Sequence, residues 1–320
     1  MMTTHLERST GAAVRSSSSS ATVRRRRKRA ELLAGYGFLT PWLLGFVLLT
    51  LGPMIASLYL AFTDYNLFSN PTWAGLANFT RLFHDPDYIQ SWKVTAGYVL
   101  IGTPLKLAAA LAVAMLLNAK RRGQGFYRSA FYAPSLIGAS VSVAIVWKAM
   151  FIDGGIVDQV GQFFGAAPGG WVGNPSKTLP MLILLTVWQF GAPMVIFLAG
   201  LKQIPRELYE AASIDGAGPL RKFRSITVPM LSPVLFFNLL LETIHAFQIF
   251  ASAFIISNGT GGPARSTLFY TLYLYHRGFV SFQMGYAAAM AWVLVLVVGV
   301  ITAILFRSSR TWVHYSGEMR

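Results

Sequence analysis

Polar side chains set inside long apolar runs are where this 320-residue chain could do chemistry. Asn238, Glu242 and His245 stand at i, i+4 and i+7 of one such run. On a helix that turns about 100° per residue they share an arc of about 60°, with Gln248 at its edge. Each is costly in hydrocarbon unless it faces other helices or a watery cavity. Two roles stay open for the stripe: a hydrogen-bonded network between helices, or the lining of a route for a polar solute. Glu242 and His245 also have the makings of an acid–base pair, but no further group completes a reaction centre. Lys106 is the other charge in apolar surroundings. Counted from Asn118 and Thr227 at ~1.5 Å per residue, Lys106 and Glu242 lie about 18 and 22 Å along their helices, so the two can neutralise one another. Gln189, next to Trp188 and just ahead of Gly191 and Pro193, is a further polar candidate.

Other chemistries are missing from the sequence. No G-x-x-x-x-G-K-[ST] phosphate cradle occurs; GGPARST at 261–267 lacks the lysine and follows no strand. There is no H-E-x-x-H, no histidine pair at helical spacing and no G-x-S-x-G, so neither catalytic residues nor a metal site are expected. The chain has no cysteine, which removes disulfides, thiolate chemistry and cysteine metal sites. If ATP energises this protein, another subunit hydrolyses it.

The elements that must hold these residues are membrane helices. Hydrophobic residues make up 54% of the chain and charged residues 12%, the balance of a protein solvated largely by lipid. Six apolar runs, at 36–63, 94–117, 130–151, 179–201, 228–254 and 284–306, reach the length of about 20 residues that a bilayer core demands. Their length excludes a strand barrel, and Pro53, Pro104, Pro134 and Pro193 inside them predict kinks. The fold class is therefore all-α, a polytopic membrane protein with six transmembrane helices. Between the last two runs, 257–263 reads as a flexible turn, and 266–276 is too short to cross and is expected at the outer surface or partway in.

The net charge of +15 is distributed by loop. With the N-terminus inside, inner segments hold twenty basic residues and outer ones six, counting Lys93 and Lys148 at the edges. That asymmetry puts both termini in the cytoplasm and argues for a membrane rather than nucleic acid as the partner of the charge. Residues 1–35 read as a disordered basic tail, with contact between its basic run and anionic lipid as a secondary reading. The tail is too long and the following run too extended for a cleaved signal peptide, so the first span is expected to stay. Asp64, Asp85, Asp87, Asp153 and Asp158 fall in outer loops among Trp73, Trp92 and Trp171. They read mainly as solvated acids in an interfacial aromatic belt, with a share left for an external partner.

One polar island remains, Glu207 to Pro229, ELYEAASIDGAGPLRKFRSITVP. Pro205 pre-sets a helix start, Glu207 and Glu210 sit in the first turn where the helix dipole favours anions, and Gly216 and Gly218 end the pattern. Leu208, Ala211 and Ala212 make one small flat apolar face suited to docking. A plain surface loop between two spans is the alternative. Glu210, Ala211 and Ala212, then Gly216, Ile226, Val228 and Pro229 at their spacing resemble the EAA loop of permease subunits of binding-protein-dependent ABC importers, with Val228 where leucine is usual. Residues 128–134, IPRELYEAASID at 204–215, 261–263 and GYAA at 285–288 are similar to the carbohydrate branch of that family.

The resemblance covers 36–306 and implies a transport subunit, not an enzyme, in the cytoplasmic membrane. It implies that a coupling loop at 202–229 carries Glu207, Glu210, Ala211, Ala212, Asp215, Gly216, Ile226 and Pro229 into a cleft of an ATPase. It further implies a second permease subunit, two cytoplasmic ATPase subunits that bind the ATP and Mg, an extracellular solute-binding protein, and no cofactor on this chain. Residues 307–320 would be a short cytoplasmic tail. For a sugar route, Asn238, Glu242, His245, Gln248 and Gln189 are the candidate lining. The rival reading is an ion-coupled secondary transporter that uses Glu242; it commonly shows inverted repeats, and no clear repeat is present.

Overall fold

A computed structural model describes residues 35–119, 123–138, 141–165 and 169–314. The basic N-terminal run, the cluster Lys120, Arg121 and Arg122, and residues 315–320 lie outside the described residues. The chain divides into a unit ending at Tyr59 and a second beginning at Leu60. The described part of the first is helix α1 (Gly35–Ala61), whose last two residues belong to the second. Within α1 a π-turn at Val47–Leu51 lets the Gly52 N–H reach back to the Val47 carbonyl, immediately before Pro53. Proline has no N–H to give and its ring crowds the carbonyl four residues back, so a widened turn ahead of it relieves both problems.

The second unit begins with an antiparallel pair, β1 (Thr63–Asp64) and β2 (Thr72–Trp73), the only strands among the described residues. Among the described residues twelve α-helices follow: α2 (Ala77–His84), α3 (Pro86–Asn118), α4 (Gln124–Gly138), α5 (Val141–Phe151), α6 (Ile156–Phe163), α7 (Pro175–Trp188), α8 (Gly191–Gln203), α9 (Arg206–Ile214), α10 (Pro219–Phe247), α11 (Ala251–Ile256), α12 (Tyr270–Tyr275) and α13 (Met284–Trp312). By length and composition α1, α3, α10 and α13 can each cross a membrane, and counting each of two bent pairs as one broken span gives six. The bent pairs are α4 with the stretch from α5, at 98°, and α7 with α8, at 43°.

Several boundaries differ from the sequence expectation, each for a local reason. The third run is not one helix, and it and the fourth are fastened to each other where they break. Ser135 Oγ donates to the Gln189 carbonyl at 2.9 Å and accepts the Ala192 N–H at 3.1 Å, while Gln189 Nε2 donates to the Gly138 carbonyl at 2.9 Å. Backbone groups freed by a break in lipid need such partners. A Cβ on Gly191 would lie 2.7 Å from the Phe131 carbonyl oxygen and from Ser135 Oγ, so glycine is required for the approach. The fifth helix starts earlier than expected, at Pro219, through a π-turn at Phe223–Thr227 ahead of Pro229, as before Pro53. It stops at Phe247 rather than 254: Phe250 leaves helical geometry, and the Ile249 carbonyl takes the Thr271 hydroxyl. The sixth continues six residues past Phe306 to Trp312, where Phe306 and Trp312 both pack edge-to-face against Phe236 of α10. The segment at 266–276 is packed inside, with Phe269, Tyr270 and Leu272 fully buried and the Tyr270 N–H given to Thr95 Oγ1.

Helix α3 is the axis of this unit and packs against α7, α8, α10 and α12. Its outer half (Val94, Tyr98, Val99) joins one apolar cluster with Leu182 and Leu185 of α7, Phe247 of α10 and Phe269. Its inner half (Leu107, Ala110, Ala114, Leu117) joins another with Phe197 and Leu198 of α8 and Leu231 of α10. Ala110 and Ala114 are fully buried, small residues four apart that let helices approach closely. The level between the clusters carries Thr103, Lys106 and Glu242.

The junction of α2 and α3 is held by Asp85. Its carboxylate caps α3 by accepting the Asp87 and Tyr88 N–H groups, and it also accepts the hydroxyls of Tyr273 and Tyr286 and a 3.3 Å contact from Arg277. Asp85 and Asp158 are thus buried and internally bonded, not solvated acids; Asp64 and Asp153 are exposed as expected. Burial pushes the Asp85 carboxyl up, but the tyrosine hydroxyls, the Arg277 charge and the Asp87 N–H outweigh it and hold it below the usual carboxylate value. Its stabilising effect is therefore present above the unfolded-state pKa of about 3.9 and is lost as the pH falls through the lowered folded value. The Asp85→Asn variant should be less stable by about 2 kcal/mol near neutral pH, with a shallower loss of stability on acidification. Melting of the solubilised protein between neutral and acid pH checks this; an unchanged midpoint and acid slope would contradict it.

Candidate functional site

Between the two apolar clusters lies a cavity of about 410 Å³. Its walls are Tyr98, Thr103 and Lys106 of α3, Thr186 and Gln189 at the α7 break, Glu242 and His245 of α10, and Gln248 to Ser252 where α10 gives way to α11. Broken helices supply the polar character twice over, through side chains and through backbone that is no longer spent on a helix ladder. Lys106 Nζ and Glu242 Oε2 meet at 2.7 Å, each side chain 12% exposed. The pair ties α3 to α10 across the cavity wall. Tyr98 OH bonds Thr186 Oγ1 and ties α3 to α7 in the same way. Thr103 Oγ1 is buried without a partner at this level, a hydroxyl left over on the cavity wall.

Of the residues that sequence reasoning singled out, Glu242, His245, Gln248 and Gln189 line this cavity. Asn238 does not. It is buried one helical turn further in, at the level of the inner cluster, with its Nδ2 unpartnered. Gln189 faces the cavity while its amide also closes the break of the third span, so it has a structural task as well. Tyr98, Thr103, Thr186, Phe250 and Ser252 were missed. Helical spacing was the available signal for three of them: Thr103 stands three residues from Lys106, Tyr98 eight, and Thr186 three from Gln189. Phe250 and Ser252 enter only because α10 breaks, which periodicity does not reveal.

The arrangement offers hydrogen-bonding groups and no set of groups poised for a reaction. Glu242 is held by Lys106, so it is not a free base for His245 or a free carboxylate for an ion. Among the described residues no group of three His, Asp or Glu side chains could hold a metal. What the walls offer is hydroxyl, amide and imidazole groups beside the rings of Tyr98 and Phe250, a surface for a polar uncharged molecule with apolar faces.

On the far side of the inner cluster, α9 stands out from the body with no buried residue. Glu207 lies in its first turn, and Glu210, Ala211 and Asp215 are exposed. The helix ends in a Schellman turn: the Ala217 N–H bonds the Ala212 carbonyl at 2.8 Å and the Gly216 N–H bonds the Ser213 carbonyl at 3.1 Å. This closure needs a left-handed residue, and Gly216 supplies φ +74° with open space around it. Two contacts connect α9 to α10. Tyr209 OH bonds Thr227 Oγ1 at 2.9 Å, and Lys222 Nζ donates to Ser213 Oγ at 2.6 Å. Tyr209 and Ile226 pack on the inner cluster, while Pro229 stands half-buried after the π-turn. Leu208 is 41% exposed and Ile214 89%, an apolar side presented outward.

Known proteins share both sequence and fold with this chain. Residues 97–311 match the family described as the binding-protein-dependent transport system inner membrane component. The probable ABC transporter permease protein YesP of Bacillus subtilis (strain 168) is 51% identical over 292 residues, 91% of this chain and 94% of that one. The lactose transport system permease protein LacF of Rhizobium radiobacter is 32% identical over 88% of this chain and 96% of its own length. The fold is also similar to a chain in the crystal structure of a bacterial alginate ABC transporter in complex with alginate pentasaccharide-bound periplasmic protein. There the TM-score is 0.75 at 21% identity, covering 90% of this chain and 96% of that one. Together with the six-span architecture, the match places the chain in the binding-protein-dependent transport system inner membrane component family, as a multi-pass permease subunit of an ABC importer.

Proposed function

We propose that the solute carried is a sugar or oligosaccharide, and that the cavity between the two apolar clusters is its station within this subunit. The observation that carries the reading is the cavity wall: uncharged hydrogen-bonding groups and two aromatic rings around one neutralised ion pair. Sugars present that combination of hydroxyl edges and apolar ring faces. Relatives named for lactose, for arabinooligosaccharides and for starch degradation products support it. His245, Gln248 and Gln189 would contact the solute, Glu242 would hold Lys106 in place, and Asn238 would line the route only if it extends inward from the cavity.

In this reading the loop at 202–229 is the coupling element. Helix α9 docks in a cleft of a cytoplasmic ATPase through Glu207, Glu210, Ala211, Ala212 and Asp215, with Gly216 shaping the turn and Ile226 and Pro229 joining it to α10. The assembly comprises this chain, a second and different permease subunit, two ATPase subunits that bind ATP and Mg, and an extracellular solute-binding protein. Both termini face the cytoplasm in this scheme, a placement the distribution of basic residues supports. ATP-driven closure of the ATPases moves α9, and α8 and α10 carry that motion to the cavity. The 1–35 segment is a separate basic tail in this scheme.

Uptake of labelled lactose and arabinooligosaccharides into proteoliposomes containing the importer and its binding protein tests the reading. Transport should require ATP and the ATPase subunits; uptake that survives their removal but collapses with an ion gradient would reverse it. Glu210→Lys and Gly216→Val should abolish uptake while membrane insertion stays normal, the latter because a β-branched residue is disfavoured by about 1–2 kcal/mol in left-handed geometry. Normal uptake by either variant would remove the coupling role. His245→Ala and Gln248→Ala should each lower maximal uptake about fivefold, the value of one net hydrogen bond of about 1 kcal/mol. Rates unchanged for every sugar transported would take these residues off the route.

A further inference from the structure

We infer that α6 is a membrane-surface anchor whose apolar side lies in the lipid interface on the face of the membrane opposite α9. Eight residues long, α6 turns Ile156, Val160, Phe163 and the adjoining Phe164 to one side, an arc of about 100°. These four are 61%, 51%, 85% and 80% exposed. On the opposite side the polar groups are bonded within the chain. Asp158 is buried and its carboxylate accepts the Gly154 N–H at 3.1 Å, the Gln162 amide at 3.0 Å and the Gly169 N–H at 3.1 Å. Gln159 donates its amide to the Gly154 carbonyl at 2.9 Å. The polar groups therefore fasten α6 to its own flanking loops, and the apolar arc is what remains to be covered.

Lipid is the occupant the surroundings select. Helix α5 belongs to a bent candidate pair whose second limb, Val141–Phe163, runs on through α6, and Ile145, Val146 and, just past the end of α5, Ile152 are themselves exposed apolar residues. Only three residues separate Ile152 from Ile156, a reach of at most about 14 Å, so α6 starts close to the exposed apolar end of α5. Both ends of α6 are tethered, so a short arc suffices: anchoring requires no free binding energy from solution, only that apolar area be removed from water. No basic residue lies on α6, so the attraction is to the acyl boundary rather than to anionic head groups.

Because the chain has no native cysteine, single cysteines can be labelled cleanly. A nitroxide is placed at Phe163→Cys and, separately, at Val160→Cys, with Asp153→Cys in the exposed loop as the aqueous reference, in the complete importer reconstituted in lipid vesicles. Collision with oxygen, which partitions into lipid, should exceed collision with a water-soluble nickel chelate several-fold at 160 and 163, with the order reversed at 153. Nickel access at 160 and 163 equal to that at 153 would overturn the anchor. Screening from both reagents at both sites would also overturn it, in favour of a protein partner on this face. The inference rests on family membership alone and stands or falls independently of which solute is carried.

Discussion

A lysine and a glutamate facing each other inside hydrocarbon constrain the rest of this structure. Neither Lys106 nor Glu242 is tolerable there alone, and at 2.7 Å they are tolerable together. Their meeting fixes α3 and α10 in antiparallel register, which in turn sets which residues of α3 fall in the outer cluster and which in the inner one. The polar level between the clusters is then a consequence of geometry: around a held ion pair the core cannot close as pure hydrocarbon, and the space left is the cavity.

The same logic governs the broken helices. Four helix interruptions at or near the cavity are answered by a group from another element: Ser135 at the α7–α8 break, Gln189 at the end of α4, Thr271 at the carbonyl of Ile249, and Lys148 at that of Ile255. Such cross-answers turn kinks into joints with defined geometry. Joints of this kind can shift between two arrangements without exposing backbone to lipid. Around the cavity the unit is therefore tied by side-chain bonds instead of continuous helices.

Much of this was legible in the sequence, for reasons of solvent. Lipid demands long apolar runs, so the number of spans follows from hydropathy, and the Gly216 turn is a local signal read correctly at the end of α9. The partnership of Lys106 and Glu242 was legible as two charges at matching depth. The breaks were not. Whether IFASAFII continues a helix past Phe247 depends on Thr271, more than twenty residues away, and whether 130–151 stays whole depends on Gln189; neither dependence leaves a mark on periodicity. Asp85 misled for a related reason, since an acid in a loop looks solvated until Tyr273, Tyr286 and Arg277 are seen around it. Asn238 shares the helical arc of Glu242 and His245, yet α10 changes surroundings along its length, and one arc crosses from cavity to packed core.

The central claim is that the Lys106–Glu242 pair holds the polar level together, and a charge-swap cycle addresses it most directly. Melting and ATP-dependent uptake would be measured for Lys106→Glu, Glu242→Lys and the double reversal in the reconstituted importer. The account predicts that each single reversal, by leaving like charges together in a low-dielectric wall, destabilises by at least about 3 kcal/mol and abolishes uptake, and that the double reversal recovers most of the stability and measurable transport. Additive losses in the double variant, or single reversals that leave stability and uptake intact, would contradict it.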